Sequence, residues 1–251
     1  MSIPKRIFII PYRDREIHKT KFIEHMRNYL SETDDWEFYF AHQCDNRPFN
    51  RGAMKNIGFL AIKKKYPNHY QNITFIFHDV DSYPRHKGMI PYTTQHGIVA
   101  HYYGYHFALG GIFAVTGKDF ERTGGFPNLW AWGLEDNIMN DRCIKAGLTI
   151  DRSCFYHISD RRICRLFDGF KRIYSQREIS KYKYEQPDNI NMLSNINFNF
   201  NNNVINITSF NTIDKWEDID YKTKDIRTGK KIKIERGYSR KIRSMNNMSS
   251  R

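Results

Sequence analysis

The chain has 251 residues, which suits one domain with a modest appendage, and a formal charge of +13. No apolar run reaches the about 18 residues of a membrane span, and four cysteines (Cys44, Cys143, Cys154, Cys164) are too few and too irregular for a disulfide framework. The basic excess favours anionic partners, whether nucleic acid, anionic lipid or phosphorylated small molecules, and says nothing of fold.

In chain order, Ile7-Phe8-Ile9-Ile10 predicts a buried strand ended by Pro11. That run is too short for the core of a signal peptide, so a soluble, cytoplasmic protein is expected. Phe22, Ile23, Met26, Tyr29 and Leu30 recur at helical spacing and predict a helix over roughly 17–30. Trp36 to His42 reads as a second strand. Asn50-Arg51-Gly52-Ala53 opens a second helix, which ends near Tyr66-Pro67, and Ile73–Phe77 is a third strand. The order β-α-β-α-β argues for a doubly wound α/β sheet. Further on, Ile112–Val115 reads as a strand, Phe120–Gly125 as a helical turn stopped by glycine, and Glu135–Ala146 as a helix with Gly147 beyond it. Residues 195–207 alternate apolar and polar types and predict a late hairpin. From about Trp216 the composition turns basic and polar. The expected organisation is therefore a domain over 1–215 and a flexible basic tail over 216–251.

Two motifs carry chemistry. In Phe77-His78-Asp79-Val80-Asp81 the carboxylates lie two apart at the carboxyl end of a strand, so both point one way, where open α/β sheets bind ligands. Such a pair suits Mg2+ or Mn2+, and a metal there can hold a diphosphate. A polar strand end with helix-capping aspartates has the same pattern, and the residues alone leave both readings open. In Trp130-Ala131-Trp132-Gly133-Leu134-Glu135-Asp136, acids in a first helical turn are explained by the helix dipole. Two tryptophans in a loop are not. Indole faces stack on sugar rings, and a carboxylate beside them can act as a general base. Near Cys154–Ser159, His157 could ligate a metal, although a lone histidine is more often structural. Arg13 and Arg15 could grip phosphate or form a solvated charge run.

Taken in order, Ile9-Ile10-Pro11-Tyr12-Arg13-Asp14-Arg15, Phe49-Asn50-Arg51 with Asn56-Ile57-Gly58-Phe59, Asp79-Val80-Asp81, Gly110-Gly111, and Gly125-Phe126-Pro127-Asn128 running into Trp132–Asp136 form one set. Over roughly residues 5–210 the set resembles glycosyltransferase family 7, the β-1,4-galactosyltransferases and xylosylprotein β-1,4-galactosyltransferases. The resemblance implies a GT-A fold, a Rossmann-like mixed sheet flanked by helices. It also implies Mn2+ (Mg2+ as the alternative), a UDP-sugar donor, a glycan or glycoprotein acceptor, and inversion to a β linkage. By the same resemblance, Pro11, Tyr12, Arg13 and Arg15 would line the nucleotide site, and Phe49, Asn50 and Arg51 would contact uridine and diphosphate. Val80 and Asp81 would lie at ribose and metal, with Asp81 the direct ligand and Asp79 a hydrogen-bonding support. Gly111 would adjoin the donor. Trp132 would ride a lid hinged at Gly133. Trp132, Gly133, Leu134, Glu135, Asp136 and Asn137 would bind sugar, with Asp136 as base. His157 would be the second metal ligand.

Departures from the family pattern shape further expectations. Asn137 stands where a third acid is usual, so the acceptor sugar could differ. The third metal ligand would be Cys154 or Ser159, or water. Ala108, two before Gly110-Gly111, replaces a large aromatic that favours galactose in the family. UDP-GalNAc or another UDP-hexosamine is therefore expected to serve at least as well as UDP-galactose. Acceptor recognition is expected in 86–107 and 160–185, where His101–His106 either stacks on a glycan or packs as a loop. The competing readings are a catalytically inactive sugar- or nucleotide-binding protein and nucleic-acid binding through the basic tail; no specific nucleic-acid partner is expected.

Overall fold

A computed structural model describes residues 3–30, 35–186, 188–228 and 232. Strand β1 (Arg6–Tyr12) is buried from Ile7 onward, and its alternate residues serve two cores. Phe8 and Ile10 pack with Phe22 and Met26 of α1 (Glu16–Tyr29). Strand β2 (Trp36–Gln43) follows, then α2 (Arg51–Lys65), whose Ile57 and Ala61 pack with Ile7 and Ile9. Neighbouring strand residues point to opposite faces, so this alternation places one helix on each side of the sheet. Helix α2 starts where the Asn50 side chain accepts from Ala53 N.

Strand β3 (Thr74–His78) is buried throughout and ends at the acidic motif, and the short β4 (Ser82–Pro84) follows it. Next come β5 (Ile98–Gly104), β6 (Ile112–Thr116), the short helix α3 (Gly117–Arg122) and α4 (Glu135–Lys145). Small strands β7 (Thr149–Asp151), β8 (Tyr156–His157), β9 (Ile163–Arg165) and β10 (Lys171–Tyr174) lead to α5 (Gln176–Glu185), capped by Ser175. The hairpin β11 (Ser194–Asn201) and β12 (Val204–Asn211) precedes β13 (Lys222–Asp225).

The main sheet runs β11-β12-β2-β1-β3-β6-β5-β7, with β8 also on β5. Strands β12, β2, β1 and β3 are mutually parallel, and β6 runs against β3 and β5. A mixed sheet with helices on both faces is the GT-A architecture expected above. The predicted hairpin is present and extends the sheet through β12 beside β2.

Two expectations change. The run His101-Tyr102-Tyr103 belongs to β5 and is buried, whereas Tyr105, His106 and Phe107 are exposed beyond the strand. Of that run, Tyr103, Gly104 and Tyr105 line the cavity over the strand ends. The boundary at 215 falls inside folded structure. Trp216, Ile219 and Tyr221 pack on the first core, and β13 pairs antiparallel with β10. Of the predicted tail, 229–231 and 233–251 lie outside the described residues.

Candidate active site

A cavity of about 740 Å3 opens over the strand ends. Its floor holds Arg51, Asp79, Asp81, Glu135 and Asp136, and Gly110, Gly111, Trp132, Gly133, Leu134 and Asn137 also line it. The backbone at Asp79 is fixed by its N–H, which donates to Gly111 O at 3.0 Å. Gly111 sits at φ +69, and a side chain there would run into Tyr103. Behind the motif, His78 is fully buried against Tyr92, and burial pushes its pKa down to about 4, keeping it neutral.

Helix α2 brings two cations to these acids, four residues apart and hence on one face. Arg51 Nη1 lies 3.2 Å from Asp79 Oδ1, and Arg51 Nε lies 3.7 Å from Glu135 Oε1. Burial opposes the Arg51 charge, but Asp79, Glu135 and the other acids outweigh it and raise its pKa. Lys55 Nζ donates to Asp136 Oδ1 at 3.1 Å. Burial pushes the Asp136 carboxyl up to about 6, with Lys55 the main opposing influence. The Asp81 carboxyl is also pushed up to about 6, by burial first and then by the Asp79 charge, against the pull of Arg51. The sequence reading missed Lys55; its signal was the i,i+4 spacing from Arg51 inside an otherwise apolar turn.

The acids of α4 are delivered by a sharp turn. Gly133 sits at φ +121 and Leu134 at φ +66, a conformation costly for a residue with a side chain. The two tryptophans before it divide their work. Trp130 is 1% exposed, lies over Phe210 with ring centroids 5.2 Å apart, and donates Nε1–H to Thr212 Oγ1 at 2.7 Å. Trp132 is 37% exposed and lines the cavity. Its N–H donates to Ile173 O at 2.8 Å, tying the loop to β10. Buried Glu178 of α5 accepts from Trp130 N at 2.8 Å, and burial pushes its carboxyl up to about 8. Arg165, Asp168, Arg172 and Lys224 complete the far wall; sequence reading singled out none of them.

Of the residues expected at the nucleotide and donor, Arg51, Asp81, Gly111 and Trp132 line the cavity, whereas Pro11, Tyr12, Arg13, Arg15, Phe49, Asn50 and Val80 do not. Pro11 is buried in β1, and Val80 is buried in the second core. Tyr12 donates to Glu16 at 2.6 Å, and burial raises its pKa. Arg13 donates to Arg47 O and lies 5.3 Å over the Phe49 ring. Arg15 reaches the cavity's edge through Asp168, whose carboxylate is 3.7 Å away. Asn50 is fully buried, and both ends of its amide are engaged, by Ala53 N and by Asn128 O. Its side chain therefore shapes the site through α2.

His157 is exposed on β8 beside Gly104, which lines the cavity. Its Nδ1 is 2.8 Å from Ser159 Oγ, so Ser159 acts on the imidazole. Cys154 Sγ donates to Met89 O and packs in the second core, outside the cavity lining. Among the described residues no group of three His, Cys, Asp or Glu side chains is gathered to hold a metal. The acid end nevertheless suits a hard divalent cation: Asp79, Asp81 and Asp168 line one cavity, and the Asp81 carboxyl is pushed up by burial first and by the Asp79 charge second.

Residues 2–93 match the N-terminal region of glycosyl transferase group 7, and residues 96–164 match the N-terminal domain of galactosyltransferase. The chain belongs to glycosyltransferase family 7. It is 30% identical to human beta-1,4-galactosyltransferase 4 over 165 residues, 60% of this chain and 46% of that one. It is 30% identical to mouse beta-1,4-galactosyltransferase 1 over 167 residues, 61% of this chain and 40% of that one. The chain thus spans less than half the length of these relatives. In fold it is similar to the catalytic domain of Drosophila beta1,4-galactosyltransferase 7 solved with xylobiose. That likeness has a TM-score of 0.61 at 21% identity and covers 82% of this chain and 94% of the other. A mutant of that protein, solved with manganese, UDP-Gal and xylobiose, gives a TM-score of 0.60 at 20% identity, with the same coverage. Within this family 7 chain, Arg165, Arg172 and Lys224 lie beyond the matched residues. Among the described residues no helix is long and apolar enough to cross a membrane.

Proposed function

We propose that this family 7 chain is an inverting glycosyltransferase that moves a hexose or N-acetylhexosamine from a UDP-sugar to a carbohydrate hydroxyl, forming a β linkage. The observation that carries the reading is Asp136 on the cavity floor, its carboxylate held by Lys55 and set across from the Asp79–Asp81 pair. In the reaction the acceptor oxygen bonds to the anomeric carbon, its proton passes to Asp136, and the bond from that carbon to the UDP oxygen breaks with its electrons on UDP. Mn2+ is the metal in the manganese, UDP-Gal and xylobiose structure of the Drosophila relative. In this chain Asp81 and His157 would hold it, with His157 Nδ1 oriented by Ser159. A bound divalent ion would offset charge on the departing diphosphate. Arg51 holds Asp79 and Glu135 in place, and Trp132, on the cavity lining, would screen a bound donor from water. With Asp136 pushed up to about 6, transfer falls as pH drops below about 6, where the base is protonated.

Incubation with UDP-[3H]galactose, Mn2+ and xyloside or N-acetylglucosamine acceptors tests this reading. Labelled disaccharide is expected, and Asp136→Asn should cut kcat by roughly 10²–10⁴-fold. Absence of turnover with every donor would support an inactive binding protein instead. For the donor, Ala108 lines the cavity with a small side chain and leaves room for an N-acetyl group. UDP-GalNAc is therefore expected to be used at least as well as UDP-galactose in a donor panel; strict galactose use sinks that assignment.

A further inference from the structure

Lys55 is only 2% exposed and belongs to the second turn of α2. Its Nζ lies 4.4 Å from the centroid of the Phe126 ring and 3.1 Å from Asp136 Oδ1. An ammonium this deep would be strongly disfavoured without a counter-ion, and Asp136 is its ion pair. The other side of the pair is equally constrained. A Cβ built on Gly110 would run into Asp136 Oδ2, so that oxygen lies directly over a glycine on the cavity lining. The two oxygens of Asp136 therefore differ: Oδ1 is held by the lysine, and Oδ2 lies against Gly110, a residue of the cavity lining.

We propose that Lys55 is the positioning residue for Asp136, fixing Oδ1 so that Oδ2 receives the acceptor's proton and holding the carboxyl ionised near neutral pH. The inference rests on Asp136 being the base of the proposed transfer. The charged groups that face Asp136 are Lys55 and Arg51 from α2, Asp79 from the end of β3, and Glu135 beside it on α4. The two acids and burial favour the protonated form, and the two cations oppose it, Lys55 most. Without Lys55 the base would be occupied by a proton over more of the physiological range. Lys55 also limits basicity, since protonating Oδ2 leaves the buried ammonium without its anion.

The test uses the full chain with Mn2+, a UDP-sugar donor and saturating acceptor. Lys55→Met keeps length and apolar stem but removes the charge. The acid limb of kcat is expected to move up by about one pH unit or more, with donor KM within about threefold of wild type. Lys55→Arg should restore the limb toward wild type. Independently of turnover, the Asp136 carboxyl is followed by 13C NMR, assigned by its loss in Asp136→Asn, and its titration midpoint should rise in Lys55→Met. If Lys55→Met does not fold, Lys55→Gln is titrated in the same way and should show the same rise. An unmoved acid limb together with an unmoved carboxyl midpoint overturns the proposal. Full activity of Asp136→Asn would instead overturn the base assignment, while the carboxyl titration still decides whether Lys55 governs Asp136.

Discussion

The ends of β1 and β3 lie side by side in one sheet, and both carry charged residues straight after an apolar run, yet those charges meet different fates. After β1, Arg13 is engaged by the Arg47 carbonyl and the Phe49 ring, and Tyr12 by Glu16. After β3, Asp79 and Asp81 face a cavity shared with Glu135 and Asp136, and α2 supplies Arg51 and Lys55 as cations paired with Asp79, Glu135 and Asp136. The first region is internally satisfied and serves as a frame. The second keeps negative charge in excess of its partners, which is the condition for binding a cationic ligand or taking up a proton.

Substitutions can break this division. The largest expected effect separates the two tryptophans: Trp130→Ala should cost about 3–5 kcal/mol of stability in denaturant melts. Trp132→Ala should stay within about 0.5 kcal/mol while raising donor KM. Next, Arg51→Met leaves Asp79 and Glu135 without their guanidinium and should lower stability by about 3 kcal/mol. Arg13→Ala removes one hydrogen bond to a carbonyl and should cost only about 1 kcal/mol by the same melts. Equal losses would erase the distinction between frame and site. Glu178 gives a pH signature. Its carboxyl rises from 4.5 unfolded to about 8 folded, so its stabilising contribution is complete below about pH 4.5 and is lost as pH rises through 8. Thermal melts should show wild type losing about 2 kcal/mol between pH 6 and 8 that Glu178→Gln retains. A small effect, about 1 kcal/mol from the lost cap of α2, is expected for Asn50→Ala, with weaker donor binding because Arg51 and Lys55 shift with the helix.

Much of the sheet was legible because strand and helix periods differ. The continuous apolar run Ile7–Ile10 and the helical spacing of Phe22, Met26 and Tyr29 have no second good solution. Strand β5 escaped because His101-Tyr102-Tyr103 looks like a polar aromatic loop; burial is possible only because Tyr102 bonds Thr93 O and His101 bonds backbone carbonyls. The pairing of β10 with β13 joins distant segments of ordinary composition, which no local pattern announces. At the site, the acids were legible as motifs, but their counter-charges were not. Lys55 reads as a surface lysine until the fold sets it against Asp136. The two tryptophans look equivalent in sequence and are distinguished by what packs on them.

The wall made by β10 and β13 has a consequence for how the protein is made. Synthesis proceeds from the N-terminus, and domains fold as their residues emerge. The floor of Arg51, Asp79 and Asp136 is therefore translated well before Lys224 and Ile226, which line the same cavity. The main sheet also needs β12, so neither the floor nor the wall can be complete until late in the chain. That side of the cavity rests on a long-range pairing of β13 with β10, so a chain cut short before Lys222 would leave the cavity open there.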